Sequence, residues 1–201
     1  MMEVYSLVYV DDNPEIALSR YLDKAFRGDS YEIKFSEIIF KPEDGYISLL
    51  TNPVIQSANI IIIDSWLFEN RTARSAKFTG EEFKLILRKL FPFIEVIVIT
   101  QNGVEPLEAL KVAKYDKSFG GSASRYYEME LTKVINSAVE NIRQYRFMAD
   151  LVKKNDSWEA ILKEKVLSTL DGTSAYDELT KSDIDNLIVA FKEFKRGLNE
   201  R

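Results

Sequence analysis

The sequence contains neither cysteine nor histidine. The first absence excludes disulfides, thiolate nucleophiles and zinc–thiolate sites, and fits a cytoplasmic home. The second excludes Ser-His-Asp hydrolysis, imidazole metal sites and phosphohistidine chemistry on this chain. If the protein receives phosphoryl groups by transfer, the donor histidine belongs to another molecule. Proline and glycine are sparse, at 5 and 8 residues. No apolar run approaches the roughly 18 residues that a membrane span requires. The N-terminus does not read as a secretory signal, having no basic segment followed by a long apolar one. A net charge of −5 offers no general attraction for nucleic acid, so DNA binding is not expected.

The 201 residues suffice for one substantial core with a helical appendage. Val4–Val10 is a short apolar run that stops at Asp11-Asp12-Asn13-Pro14 and reads as a buried strand with an acidic end. Glu15–Phe26 has helical spacing, and Tyr31–Ile39 alternates as a strand does. A short helix is predicted near Tyr46–Leu50. Ala58–Ile63 holds four isoleucines in succession before Asp64, the mark of a strand buried on both faces. Gly80–Phe91 reads as a helix, Ile94–Ile99 as a second fully apolar strand ending at Thr100, and 101–111 leaves room for a short helix. Val112–Asp116 is a weak strand followed by Lys117. Five alternations of strand and helix predict an α/β fold with a five-stranded, doubly wound parallel sheet. Right-handed crossovers then bring the strands' C-terminal ends to one edge.

After about residue 122 there is no further strand signal. Ser124–Asn155 reads as one long helix, a second runs to Leu170, and a third begins at Ser182. This divides the chain into a domain over 1–145 and an all-helical C-terminal extension over 146–201. Leu131, Ile135, Ala138, Ile142, Tyr145, Ala149 and Val152 alternate at four- and three-residue spacing. That stripe serves either as a homodimer seam through helix 124–155 or as packing within the chain.

The polar residues at the strand ends carry the chemistry. Asp11 and Asp12 follow the first strand, Asp64 the third, Thr100 the fourth and Lys117 the fifth. Three clustered carboxylates repel unless a cation neutralises them. An all-oxygen site with open positions suits Mg²⁺, which favours a phosphate as co-ligand. A carboxylate can attack phosphorus and form an aspartyl phosphate. The metal and a lysine would stabilise charge on the transferring oxygens.

This ordered set of Asp-Asp, Asp, Thr and Lys at strand ends resembles the receiver domain of bacterial two-component response regulators, a flavodoxin-like fold, over roughly residues 3–145. The resemblance implies that Asp64 is the phosphoacceptor and that Asp11, Asp12, Asp64 and the Trp66 carbonyl hold Mg²⁺. It implies Thr100 as the switch hydroxyl and Lys117 as the essential cation. A histidine kinase or phosphotransfer protein would be the donor. Output would pass through the helical tail by dimerisation or partner binding. Such a protein is a phosphoacceptor rather than a turnover enzyme, although it can hydrolyse its own aspartyl phosphate. The chain departs from the family at Ser118, where proline is usual, at Gln101, where a small residue is usual, and at the bulky Trp66. Trp66 and Gln101 are expected either to screen the phosphoryl group from water or, by the same bulk, to block phosphorylation altogether. Arg71, Arg74 and Lys77 form either a solvated loop or a lid. A phosphorylation-independent adaptor is the rival reading. An aspartate-dependent phosphohydrolase is a second rival, against which Asp11-Asp12-Asn13 lacks the expected Asp-x-Asp.

Overall fold

The computed structural model describes residues 2–28, 30–41, 45–67, 79–101, 110–155 and 159–170. The lid residues Arg71, Arg74 and Lys77, the short helix after residue 101 and the third tail helix lie outside the described residues.

Five strands form one parallel sheet: β1 (Glu3–Asp11), β2 (Tyr31–Ile39), β3 (Ile60–Asp64), β4 (Glu95–Thr100) and β5 (Lys111–Ala113). Their order is β2-β1-β3-β4-β5, the flavodoxin-like order, which reverses direction between β1 and β3. The register pairs Val10 with Ile63 and Asp64 with Ile99, so the strands end at nearly the same level. β3 and β4 are buried along their whole length, as their unbroken β-branched runs require.

The side chains alternate between two cores. Tyr5, Leu7, Tyr9, Ile60, Ile62, Ile97 and Ile99 pack beneath α1 (Ile16–Arg20), its π-helical continuation Tyr21–Ala25, and α5 (Ala123–Lys154). Val8, Val10, Ile61, Ile63, Val96 and Val98 pack beneath α2 (Tyr46–Leu50), α3 (Pro53–Gln56) and α4 (Gly80–Leu90). The π-helical turn keeps Tyr21 and Leu22 on the buried side of the chain.

α5 is 32 residues long, begins at a Ser122 cap and ends before Asn155. It passes residue 145 without a break. Leu131, Ile135, Ala138 and Ile142 of the expected seam are covered by the protein's own sheet and α1. Beyond the sheet, Phe147, Met148 and Leu151 are exposed on α5. α6 (Ala160–Leu170) packs on α5. Among the described residues, no helix is long and apolar enough to cross a membrane.

Candidate functional site

The C-terminal rim of the sheet gathers Asp11, Asp12 and Asp64. Carboxylate oxygens of the three lie within 4.8 Å of one another. The reason is topological: β1 and β3 are hydrogen-bonded neighbours that terminate together, so Asp11 and Asp64, 53 positions apart in sequence, share one rim. Asp11 is 1% exposed and Asp64 4% exposed, while Asp12 is more open.

The two buried carboxylates differ in what remains available. Asp11 accepts three hydrogen bonds. Its Oδ1 accepts from the Asn13 N–H at 2.9 Å, and its Oδ2 accepts from the Tyr9 hydroxyl at 2.5 Å and from Lys114 Nζ at 3.0 Å. Asp64 Oδ2 accepts from the Trp66 N–H at 3.1 Å. Asp64 Oδ1 lies 2.8 Å from Lys114 Nζ but outside hydrogen-bonding geometry, and has no hydrogen bond among the described residues. Asp64 Oδ1 is thus ion-paired with Lys114 and accepts from no other group among the described residues, which leaves it room to bind phosphorus or a metal.

Charge points the same way. Two carboxylate charges within 4.8 Å of each other repel by at least about 3 kcal/mol at an effective dielectric near 20. Lys114 compensates one charge of three. Burial, then the charge of Asp11, raises the Asp12 carboxyl. Burial also raises Asp64, with Asp11 adding to it and Lys114 opposing it. Burial works against the Lys114 ammonium, but Asp64 and Asp11 outweigh it and raise its pKa. The lysine is therefore a fixed cation. The donor set is entirely oxygen, with an unsatisfied buried atom at its centre and residual negative charge. These residues fit a hard divalent cation such as Mg²⁺.

The expected lysine is corrected by the structure. Lys117 does not reach the acidic cluster. β5 is three residues long rather than the five expected, and its register places Ala113 opposite Thr100. The Lys114 N–H still donates to the Thr100 carbonyl, and its side chain enters the rim. The Asp116 carboxylate then accepts from the Ser118 N–H at 2.8 Å and starts a 3₁₀ turn over Lys117–Phe119, closed by Gly120 at φ 73°. That turn leaves Lys117 exposed. Lys114 directly follows Val112-Ala113, but nothing in the composition of this segment separates it from Lys117.

Thr100 is where the sequence places it, 1% exposed at the end of β4 and one residue past Ile99, the register partner of Asp64. Trp66 lies in the turn after β3 with its side chain 41% exposed. Gln101 is exposed and lines a cleft of about 700 Å³ with Lys114, Asn13, Glu15, Tyr115 and Asp116.

No protein-family model matches this chain, and no curated protein matches it.

Two features reinforce the rim. The α4 N-terminus presses on the backbone of Asp64: a β-carbon on Gly80 would stand 2.5 Å from the Asp64 carbonyl oxygen. Thr79 and Glu82 form a capping box that fixes this end of α4. Next to Asp64, the Ser65 hydroxyl donates to the Glu81 carboxylate at 2.9 Å, and Lys111 Nζ lies 3.1 Å from Glu81 Oε1. Lys111 thus holds the start of β5 against α4, while Lys114 holds its end against β1 and β3.

Proposed function

We propose that this protein is a phosphoacceptor of the response-regulator receiver type, in which Asp64 takes a phosphoryl group from a partner histidine kinase or phosphotransfer protein. The observation that carries the reading is the meeting of Asp11, Asp12, Asp64 and Lys114 at one rim, where Asp64 Oδ1 faces the Lys114 ammonium at 2.8 Å.

An oxygen of the Asp64 carboxylate attacks phosphorus. The bond from phosphorus to the donor's imidazole nitrogen breaks, and that nitrogen keeps the electron pair. Asp11, Asp12 and Asp64 would hold Mg²⁺, which supplies charge neutralisation for the phosphoryl oxygens when bound. Lys114 supplies a second positive charge at the same place. Phosphorylation adds about two negative charges. Thr100, buried at the neighbouring strand end, is the hydroxyl positioned to respond. Output passes through the helices that follow β5, by partner binding or dimerisation.

The test is intact-mass measurement after incubation with acetyl phosphate and Mg²⁺. One added phosphoryl group is expected on the wild type and none on Asp64→Ala. An unmodified wild type under these conditions would sink the reading.

A second reading has its own support. Lys114 already compensates part of the buried charge without any metal, so the rim can persist as a structural element of a phosphorylation-independent adaptor. That reading requires partner binding to survive Asp64→Asn.

A further inference from the structure

A closed ring of hydrogen bonds runs from the acidic rim to α5 and back. Lys114 Nζ and the Tyr9 hydroxyl both donate to Asp11 Oδ2, at 3.0 and 2.5 Å. The Tyr9 oxygen in turn accepts from the Glu15 N–H at 3.4 Å. The Glu15 carboxylate accepts from the Tyr127 hydroxyl. The Tyr127 oxygen accepts from the Tyr115 N–H at 3.0 Å, and Tyr115 directly follows Lys114 in the chain. Tyr9 and Tyr127 are both 0% exposed, and Asp11 is 1% exposed.

We infer that Tyr9, Glu15 and Tyr127 are positioning residues that couple occupancy of the acidic rim to the first turns of α5. This rests on the reading of the rim as a cation and phosphoryl site. A divalent cation held by Asp11 and Asp64 draws on the same oxygens that Lys114 and Tyr9 now use. A shift of Lys114 moves the adjoining Tyr115 N–H, the donor to Tyr127. At the buried members Tyr9, Asp11 and Tyr127 a bond cannot open without leaving a polar group unpaired, so the change is passed on there rather than absorbed. Both phenols are buried and each donates within the ring. Tyr127 sits in the second turn of α5, directly above the sheet. The route runs through β1, the loop after it and the Lys114–Tyr115 segment that follows β5.

The experiment is hydrogen exchange on the full chain with and without saturating Mg²⁺, alongside calorimetric titration of Mg²⁺. In the wild type, Mg²⁺ is expected to change exchange in residues 115–131 by about fivefold or more, and in Tyr127→Phe by less than about twofold, with Mg²⁺ still bound. Tyr127→Phe removes one oxygen and leaves the ring packed. The hydroxyl of Tyr126, which donates to the Ala113 carbonyl at 3.0 Å, still ties α5 to β5. Glu15→Ala breaks the ring at a partly exposed residue and should give the same loss. If the wild type binds Mg²⁺ and α5 does not respond, or if both variants respond as the wild type does, the coupling is overturned while the cation site stands. If the wild type binds no Mg²⁺, the site reading fails and takes the coupling with it.

Discussion

Lys114 Nζ stands 2.8 Å from Asp64 Oδ1, across a contact whose angle is not that of a hydrogen bond. The same ammonium hydrogen-bonds Asp11 at 3.0 Å. The side chains of the three residues are 12%, 6% and 1% exposed for Lys114, Asp64 and Asp11. Lys114→Met would leave two buried carboxylates facing each other without their cation. Unfolding in urea should show a loss of about 2–4 kcal/mol without metal, partly recovered in Mg²⁺. Lys117→Met, on the exposed 3₁₀ turn, should change stability by less than about 0.5 kcal/mol. Equal effects of the two substitutions would contradict the assignment of Lys114 to the rim.

Gly80 is held to glycine by a close approach, not by its φ. A methyl group there meets the Asp64 carbonyl at 2.5 Å, and backbone cannot step aside as a side chain can. Gly80→Ala should cost about 1–3 kcal/mol and shift the carboxylate of Asp64. Urea unfolding measures the first effect. A weaker Mg²⁺ titration in the folded variant measures the second.

The pH dependence of stability should contain two opposing contributions. Burial acts to raise Glu81, but its own backbone N–H, Lys111 and Ser65 outweigh it and hold the carboxyl below its ordinary value of 4.5. The unfolded chain then binds the proton more readily than the native one. Glu81 therefore adds stability that is fully present above pH 4.5 and lost as pH falls through the depressed folded value. Asp64 has the opposite sign. Its folded pKa is raised above 3.8, mainly by burial, so the metal-free protein gains stability as pH falls through that raised value toward 3.8. Stability measured against pH in Glu81→Gln should lose the acid-side decline attributable to this residue. In Asp64→Asn the gain above 3.8 should vanish.

Trp66 bears on the lifetime of an aspartyl phosphate. Its N–H holds Asp64 Oδ2, and its side chain stands 41% exposed in the turn after β3. If its bulk screens the phosphoryl group from water, the aspartyl phosphate of Trp66→Asn should hydrolyse several-fold faster after loading from acetyl phosphate. An unchanged decay rate would remove Trp66 from the account of water access.

Much of this arrangement was legible in the residues themselves. Ile60–Ile63 and Val96–Ile99 announced strands covered on both faces, and Asp64 and Thr100 fell at their ends as expected. Asp11 and Asp12 followed the same logic on β1. The fifth strand was misread because Val112–Asp116 mixes apolar and polar residues without clear periodicity, and neither Lys114 nor Lys117 is distinguished by composition. Hydrogen bonding to β4 ends the strand at Ala113, and the Asp116 side chain turns the chain away after Tyr115. The seven-residue stripe on the long helix was correctly apolar but silent about its partner. The α1/α5 face of the sheet takes Leu131 to Ile142.

The sequence determined the parallel α/β sheet, the three carboxylates at its rim and the exclusion of histidine and cysteine chemistry. These follow from periodicity and from residue types, which are local properties. Tertiary structure decided which lysine enters the rim, which carboxylate oxygen stays without a hydrogen bond, and how Tyr9, Glu15 and Tyr127 tie that rim to α5. Those outcomes depend on register and on side chains separated by up to about a hundred positions. No local pattern encodes the distance between groups that only folding brings together.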